Sequence, residues 1–336
     1  MENPARILII RFSSIGDIVL TTPLVRCLKK QMEMGVEIHF LTKKKYATLL
    51  TANPYITKIH TIEKSVQEVL PELEKCGFDY VVDLHKNIRS YIVKKRLKVL
   101  SFSFRKVNFA KWMLVKFGKR RNSIPHVVER YLETVFIFGV KDDEKPPDYF
   151  IPPNEGLNKK EIPDVMNQKF VVWCIGGMHQ GKRMSKEKVA AIISMCKHPV
   201  VIIGGVEDEM EGDFIAEHCG SRVFNAAGKF SLHQSADCIS RAEVVVTGDT
   251  GMMHIASAFS KKIISVWGCT TPELGMSAWR PHPSNIIIEP KHLTKRPCSK
   301  LGDRCKYGDE QRCIGQNSND EILQAIETLW VQQTAP

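Results

Sequence analysis

The 336-residue sequence contains no apolar run approaching the roughly 20 residues that a membrane-spanning helix takes. It also lacks a basic leader followed by a separate apolar core: Met1-Glu2-Asn3-Pro4-Ala5-Arg6 runs straight into a short strand-like segment, so a cytoplasmic rather than an exported chain is expected. Tandem repeats of solenoid length and low-complexity tracts are missing, which excludes repeat architectures and long biased segments. Aromatic residues are sparse at 8 % beside 43 % hydrophobic, as in an ordinary soluble enzyme. No Gly-x-Gly-x-x-Gly follows the first apolar run, which weighs against a dinucleotide-dependent oxidoreductase.

The 10 cysteines include no Cys-x-x-Cys. Cys27, Cys76, Cys174, Cys196, Cys219, Cys238 and Cys269 are scattered among apolar or helical segments and read as reduced, mostly buried thiols. Cys298, Cys305 and Cys313 instead share a polar, basic loop. With His292 nearby they offer four zinc ligands, and free loop thiols are the plainer alternative.

Acidic residues are absent between Lys86 and Arg121, where thirteen lysines and arginines exceed the whole net charge of +11. Phe102, Phe104, Phe109, Trp112 and Phe117 are interleaved with them. Such a basic, aromatic stretch over 86–121 suits an anionic membrane surface or a phosphorylated headgroup. A solvated basic face over a buried apolar stripe is the bland reading. No nucleic-acid module accompanies the charge, so nucleic acid is not an expected partner.

What remains alternates strand-like and helix-like stretches. Ala5 to Phe12, Val36 to Thr42, Lys58 to Glu63, Tyr80 to His85 and Val99 to Phe104 read as strands, with helical patterns between them. The alternation pauses from Val140 to Gln168, where Lys, Asp, Glu and paired prolines take over. It restarts with Phe170 to Gly177, Val200 to Gly205, Arg222 to Ala226, Glu243 to Gly248 and Lys262 to Trp267, after which 268–317 reads mostly as loop. Continuous apolar strands separated by amphipathic helices indicate parallel sheets covered on both faces. The fold expected is α/β, two Rossmann-like domains facing a central cleft: 1–150, a linker over 151–168, then 169–317. A final amphipathic helix over 318–333 opens on a capping-box pattern, Ser318 to Glu321.

Two strand-to-helix junctions stand out. Val244-Val245-Val246 leads into Thr247-Gly248-Asp249-Thr250-Gly251, and Ile7-Leu8-Ile9-Ile10 leads into Arg11-Phe12-Ser13-Ser14-Ile15-Gly16-Asp17. In open α/β sheets ligands bind at such junctions, where free amides and a helix dipole suit phosphate. Thr250 and Gly251 would supply hydroxyl and amide donors. Asp249 would orient the loop, bond a sugar or simply cap the helix. His254, about one turn on, is a ligand contact or a satisfied histidine facing the sheet. Glu207 and Glu209 after Gly204-Gly205 are equal candidates for a ribose, though acids are common at helix starts.

In order and spacing these segments resemble glycosyltransferase family 9, the lipopolysaccharide core heptosyltransferases. The resemblance is carried by Arg11 to Asp17 with Thr22-Pro23, Tyr80 to His85 with Asn87 and Arg89-Ser90, Gly176-Gly177 with Lys182-Arg183, Asn225 to Lys229, Asp249 to Ala256, and Gly268-Cys269-Thr270. It covers nearly the full length. It implies a GT-B fold, inverting transfer from ADP-heptose to a lipopolysaccharide inner-core acceptor, and a peripheral place on the cytoplasmic face of the inner membrane. It further implies no metal and no other cofactor, and no Asp-x-Asp at a strand end argues otherwise. Residue by residue, Asp17 matches the family's catalytic base and Lys182 its phosphate-binding lysine, with Gly177, Glu207, Asp249, Thr250, Gly251 and His254 on the donor side. Lys86, Arg89, Arg130 and Ser14 are the candidates for an anionic acceptor. Each has a plainer alternative: Asp17 an acid in a helix first turn, Lys182 a solvated loop lysine replaceable by Arg183 or Lys186, Arg130 an ion pair. Met184-Ser185 departs from the Trp-Pro usual after the Lys-Arg pair. A transferase of another nucleotide sugar, or an inactive nucleotide-sugar or membrane-surface binding protein, are the competing functions.

Overall fold

The computed structural model describes residues 4–33, 35–118, 124–158, 160, 162–308 and 311–332. The chain divides into two compact units, 1–107 with 125–150 and 108–124 with 151–336.

In the first unit the aliphatic runs become β1 (Ala5–Ile10), β2 (Val36–Lys43), β3 (Lys58–Ile62), β4 (Tyr80–Asp83) and β5 (Leu100–Ser103). They pair in parallel in the order β3-β2-β1-β4-β5. Both faces of such strands are apolar and must be covered by helices. The covering helices are α1 (Ile15–Val19), α2 (Thr22–Gln31), α3 (Lys44–Ala47), α4 (Leu70–Lys75), α5 (Ile88–Leu97) and α7 (Val127–Leu132). Leu73 of α4 and Val93 of α5 close a core over Leu8, Ile10, Leu41 and Val81. The winding runs outward from β1 to β3, then returns to β4, so β1 and β4 flank a topological switch point.

The second unit repeats the plan with one more strand. It contains α6 (Asn108–Phe117), β6 (Val171–Cys174), α8 (Lys186–Met195), β7 (Val200–Ile203), α9 (Glu209–Cys219), β8 (Val223–Asn225), α10 (Leu232–Arg241), β9 (Val244–Thr247), α11 (Gly251–Ala258), β10 (Lys262–Val266), β11 (Ile286–Ile288), α12 (Arg312–Gly315) and α13 (Asn319–Val331). The order β11-β10-β9-β6-β7-β8 is again all parallel, and its switch point lies between β6 and β9. This is mixed α/β architecture built on two parallel Rossmann-like sheets, the GT-B class.

Three details differ from the sequence expectation. Residues 108–124, assigned above to the 1–150 domain, group with the second unit, where the Lys306 ammonium donates to the Val115 carbonyl and Leu114 is buried. An amphipathic helix advertises its apolar stripe but not which sheet receives it. Within 268–317, Ile286–Ile288 forms an edge strand too short for periodicity to reveal. At α13 only half of the expected box forms, the Glu321 N–H donating to Ser318 Oγ at 3.4 Å. Gln333 lies outside the described residues, as do Lys119, Arg120 and Arg121 of the basic segment.

Candidate functional site

In the first unit the loop leaving β1 and the loop leaving β4 meet at the switch point. Asp17 sits in the first turn of α1, where Ser14 is the N-cap. Its Oδ2 accepts from the Ser14 N–H at 3.1 Å and the Ser14 hydroxyl at 2.8 Å, and its Oδ1 lies 2.5 Å from Arg11 Nη2. Burial, the largest influence on this carboxyl, pushes its pKa up. The Arg11 charge and the two Ser14 bonds overcome that and hold it below the usual carboxylate value. Arg11 is itself fixed by the Ser13 and Leu84 carbonyls and lies over the Tyr131 ring. Burial and the nearby Arg11 charge lower the His85 pKa to about 4, so the ring beside Phe12 stays neutral at physiological pH.

Asp83, wholly buried at the end of β4, organises the second loop. Its Oδ1 accepts from the His85 and Lys86 amides, while Oδ2 accepts from Ser90 Oγ and pairs with Lys94 at 2.9 Å. Asn87 caps α5 through the Ser90 amide. This scaffold sets Lys86 in a left-handed turn, φ 53°, and leaves Lys86 and Arg89 exposed beside Asp17's switch point. Arg130 is different. It is 2 % exposed, and its guanidinium donates to the Arg105 and Pro125 carbonyls and lies over Phe104. A cation so enclosed ties Phe104 and Arg105 to Pro125, and among the described residues it forms no ion pair of the kind the sequence alternative supposed.

The second unit builds the other corner. Gly177 follows β6, and a Cβ there would stand 3.3 Å from Arg183 and 3.5 Å from Thr250. Lys182 reaches back so that its Nζ is 2.7 Å from Asp249 Oδ2, an oxygen that also accepts from Thr270 Oγ1 at 2.9 Å. Gly248 is small for a visible reason: a Cβ would meet the Lys182 carbonyl at 2.7 Å. Thr250 is the N-cap of α11, its hydroxyl 3.1 Å from Thr247 Oγ1, and Gly251 opens the helix with its first-turn amides. Lysine ammonium, threonine hydroxyl and the first-turn amides of a helix are groups whose chemistry suits an anion.

The neighbours proposed as substitutes for Lys182 are occupied. Arg183 is paired with Asp208 at 2.7 Å and Glu211 at 2.8 Å, and Lys186 lies over the Phe214 ring. His254 is buried on α11, 3 % exposed. Glu207 is exposed and Glu209 half-buried, both at the carboxyl end of β7. The structure adds two residues that local patterns did not single out. Arg11 belongs to a quoted motif, yet its pairing with Asp17 crosses the loop. Asp208 is buried, accepts the Gly205 N–H at 2.8 Å, and lies where a Cβ on Gly176 would meet it at 2.6 Å. Burial raises the Asp208 pKa, and Arg183 only partly offsets this. The close-set glycines 176, 204 and 205 were the available signal for it.

The cysteine loop forms a buried cluster of Cys269, Cys298 and Cys313, with the Cys298 and Cys313 sulfurs 3.9 Å apart. A hydrogen bond from Cys313, helped by Lys306, lowers the Cys298 pKa. His292 is exposed, and the group of metal-ligating side chains found among the described residues is His39, His60 and Cys76, not the four-ligand set of His292 with Cys298, Cys305 and Cys313 considered from the sequence. Among the described residues no helix is long and apolar enough to cross a membrane.

The family model described as glycosyltransferase family 9 (heptosyltransferase) matches residues 66–307. Lipopolysaccharide heptosyltransferase 1 of Campylobacter coli is 24 % identical, over 97 % of this chain and 99 % of its own length. Among solved structures, the glycosyl transferase family 9 protein of Veillonella parvula DSM 2008 matches with a TM-score of 0.78 at 20 % identity, covering 98 % of this chain and 99 % of its own. The E. coli ADP-heptose lps heptosyltransferase II gives 0.73 at 18 %, covering 97 % and 98 %.

Proposed function

Because the chain belongs to glycosyltransferase family 9, we propose that it is an inverting heptosyltransferase carrying a heptose from ADP-heptose to a lipopolysaccharide inner-core acceptor. The observation that carries this reading is the corner at the carboxyl ends of β6 and β9, where Lys182, Asp249 and Thr250 meet the first turn of α11. A nucleoside diphosphate is the ligand such a corner suits. Its oxygens draw Lys182 away from Asp249 and bond the Thr250 hydroxyl and the Gly251 amide, with Gly177 leaving room for close approach. Glu207 or Glu209 is the ribose partner. The relatives' own names, lipopolysaccharide heptosyltransferase and ADP-heptose lps heptosyltransferase, support the choice of donor and acceptor.

In the reaction the acceptor hydroxyl attacks the anomeric carbon from the face opposite the diphosphate. The bond from that carbon to the diphosphate oxygen breaks as the new glycosidic bond forms, and the hydroxyl proton passes to Asp17. With its pKa held down by Arg11, Asp17 is a weak base, so it takes the proton late, when the attacked carbon has already acidified the hydroxyl. Lys182 and the α11 amides meet the charge growing on the departing ADP. These groups need neither a metal nor another cofactor. Lys86 and Arg89, with Ser14 beside Asp17, recognise the anionic sugars of the acceptor.

The acceptor sits in a membrane, and α6 suits that surface. Phe109 is 75 % exposed, Trp112 stacks on it, and Lys116 lies over the Trp112 and Phe117 rings. Cations interleaved with exposed aromatics fit an anionic lipid interface at the cytoplasmic face of the inner membrane. The deciding assay is release of ADP from ADP-heptose with and without a lipid A–Kdo acceptor. Acceptor-dependent release is expected, and its absence with every nucleotide sugar tried would sink the proposal.

A further inference from the structure

Toward the β3 edge of the first sheet, two histidines are buried together. His39 of β2 and His60 of β3 project from the same sheet face, since Leu41, two residues beyond His39, stands level with His60 in the parallel register. Their rings stack with centroids 5.1 Å apart, and His39 Nδ1 lies 2.8 Å from His60 Nε2. Cys76 ends α4 beside them. One nitrogen of each ring and the Cys76 sulfur all lie within 4.8 Å of one another.

The surroundings are those of a ligand set. Phe78 packs edge-on against both rings, which keeps water out and favours neutral imidazole. Glu72 Oε1 lies 3.0 Å from His60 Nδ1, off the line of a good hydrogen bond, and Lys58 holds that carboxylate at 2.7 Å. A carboxylate behind one imidazole nitrogen is the arrangement that aims the other nitrogen at a metal.

We propose that His39, His60 and Cys76 bind one divalent ion of the zinc class, with Glu72 as the outer carboxylate and a fourth position for water. Two imidazoles and a thiolate suit a borderline-soft, tetrahedral ion. Ligand atoms on such an ion stand about 3.3 Å apart or more, so the two rings separate by a few tenths of an ångström on binding. Cys76 releases its thiol proton, and His39 carries its remaining proton on Nε2. Arg6, near the start of β1, donates to the Cys76 carbonyl at 3.1 Å. In the register His60 stands level with Leu41, Ile10 and Asp83, but β2 and β1 lie between β3 and β4, which sets the cluster at the β3 edge, about 14 Å across the sheet from Asp83. The ion therefore braces α4 against edge strand β3 and takes no part in sugar transfer.

Cobalt(II) added to the chelator-treated full-length chain tests this. A thiolate-to-cobalt charge-transfer band and tetrahedral visible bands should saturate at one ion per chain, and zinc should abolish them. Cys76→Ser should remove the charge-transfer band, and Glu72→Gln should weaken binding about 10–100-fold. The double variant Cys298→Ser with Cys313→Ser should keep the band. Circular dichroism checks that each variant is folded. A native chain without the band, a band surviving in Cys76→Ser, or one lost in the Cys298/Cys313 variant would each overturn the proposal.

Discussion

At Asp17 two opposing effects meet. Burial favours the neutral acid, whereas Arg11 at 2.5 Å and two bonds from Ser14 favour the carboxylate and prevail. Asp17 therefore stabilises the fold above the ordinary carboxylate pKa, and that contribution is lost as pH falls through its lower folded value. Replacing Arg11 by methionine removes the counter-charge, so the acid limb of the pH–kcat profile should move to higher pH. A limb left in place would mean that Arg11 does not set the basicity. Asp17→Ala should cut kcat about 10²–10⁴-fold, while calorimetry shows ADP binding unchanged because the donor corner belongs to the other unit. Lys182→Ala should lower kcat about 10²–10³-fold and weaken ADP as well. Full turnover in either variant would remove that residue from the mechanism.

Elements matter here through their ends. β9 stops at a glycine because the corner is crowded there by backbone: Gly248→Ala places a methyl 2.7 Å from the Lys182 carbonyl. That variant should lose ADP affinity without losing the fold, as titration calorimetry beside circular dichroism would reveal. The far end of the same sheet is tied by Lys262, whose ammonium is 4 % exposed and reaches Glu243 at 2.6 Å and the Leu329 carbonyl of α13 at 2.9 Å. Lys262→Ala leaves Glu243 with only the more exposed Lys169 and the Leu329 carbonyl without its donor, a loss of about 1–3 kcal/mol, so urea unfolding should show a clear drop. α13 was legible from its Ser318 cap and apolar spacing. β11 was not, since three isoleucines form a strand only because β10 lies beside them.

Over the whole molecule the charge is lopsided, with the basic excess concentrated between Lys86 and Arg121. Sedimentation with anionic vesicles should therefore weaken steeply as salt rises, since added ions screen exposed charge. Neutralising Lys111 and Lys116 together should reduce it further, and binding indifferent to both would dismiss the membrane surface as a partner. Much of this protein was readable along the chain. Strand periodicity, the glycine-bearing junctions at Asp17 and Asp249, and the ordered family motifs each depend on residues adjacent in sequence, where spacing alone dictates geometry. Arg183 with Asp208 and Glu211, Arg130 with the Arg105 carbonyl, and His39 with His60 and Cys76 were not readable in this way. Strand order and helix packing bring those partners together across 21 to 37 residues of chain. Local composition determined which elements form and which chemistry they carry. Only the folded sheet decided which charges are enclosed and which stay available, because burial and pairing arise from neighbours distant in sequence.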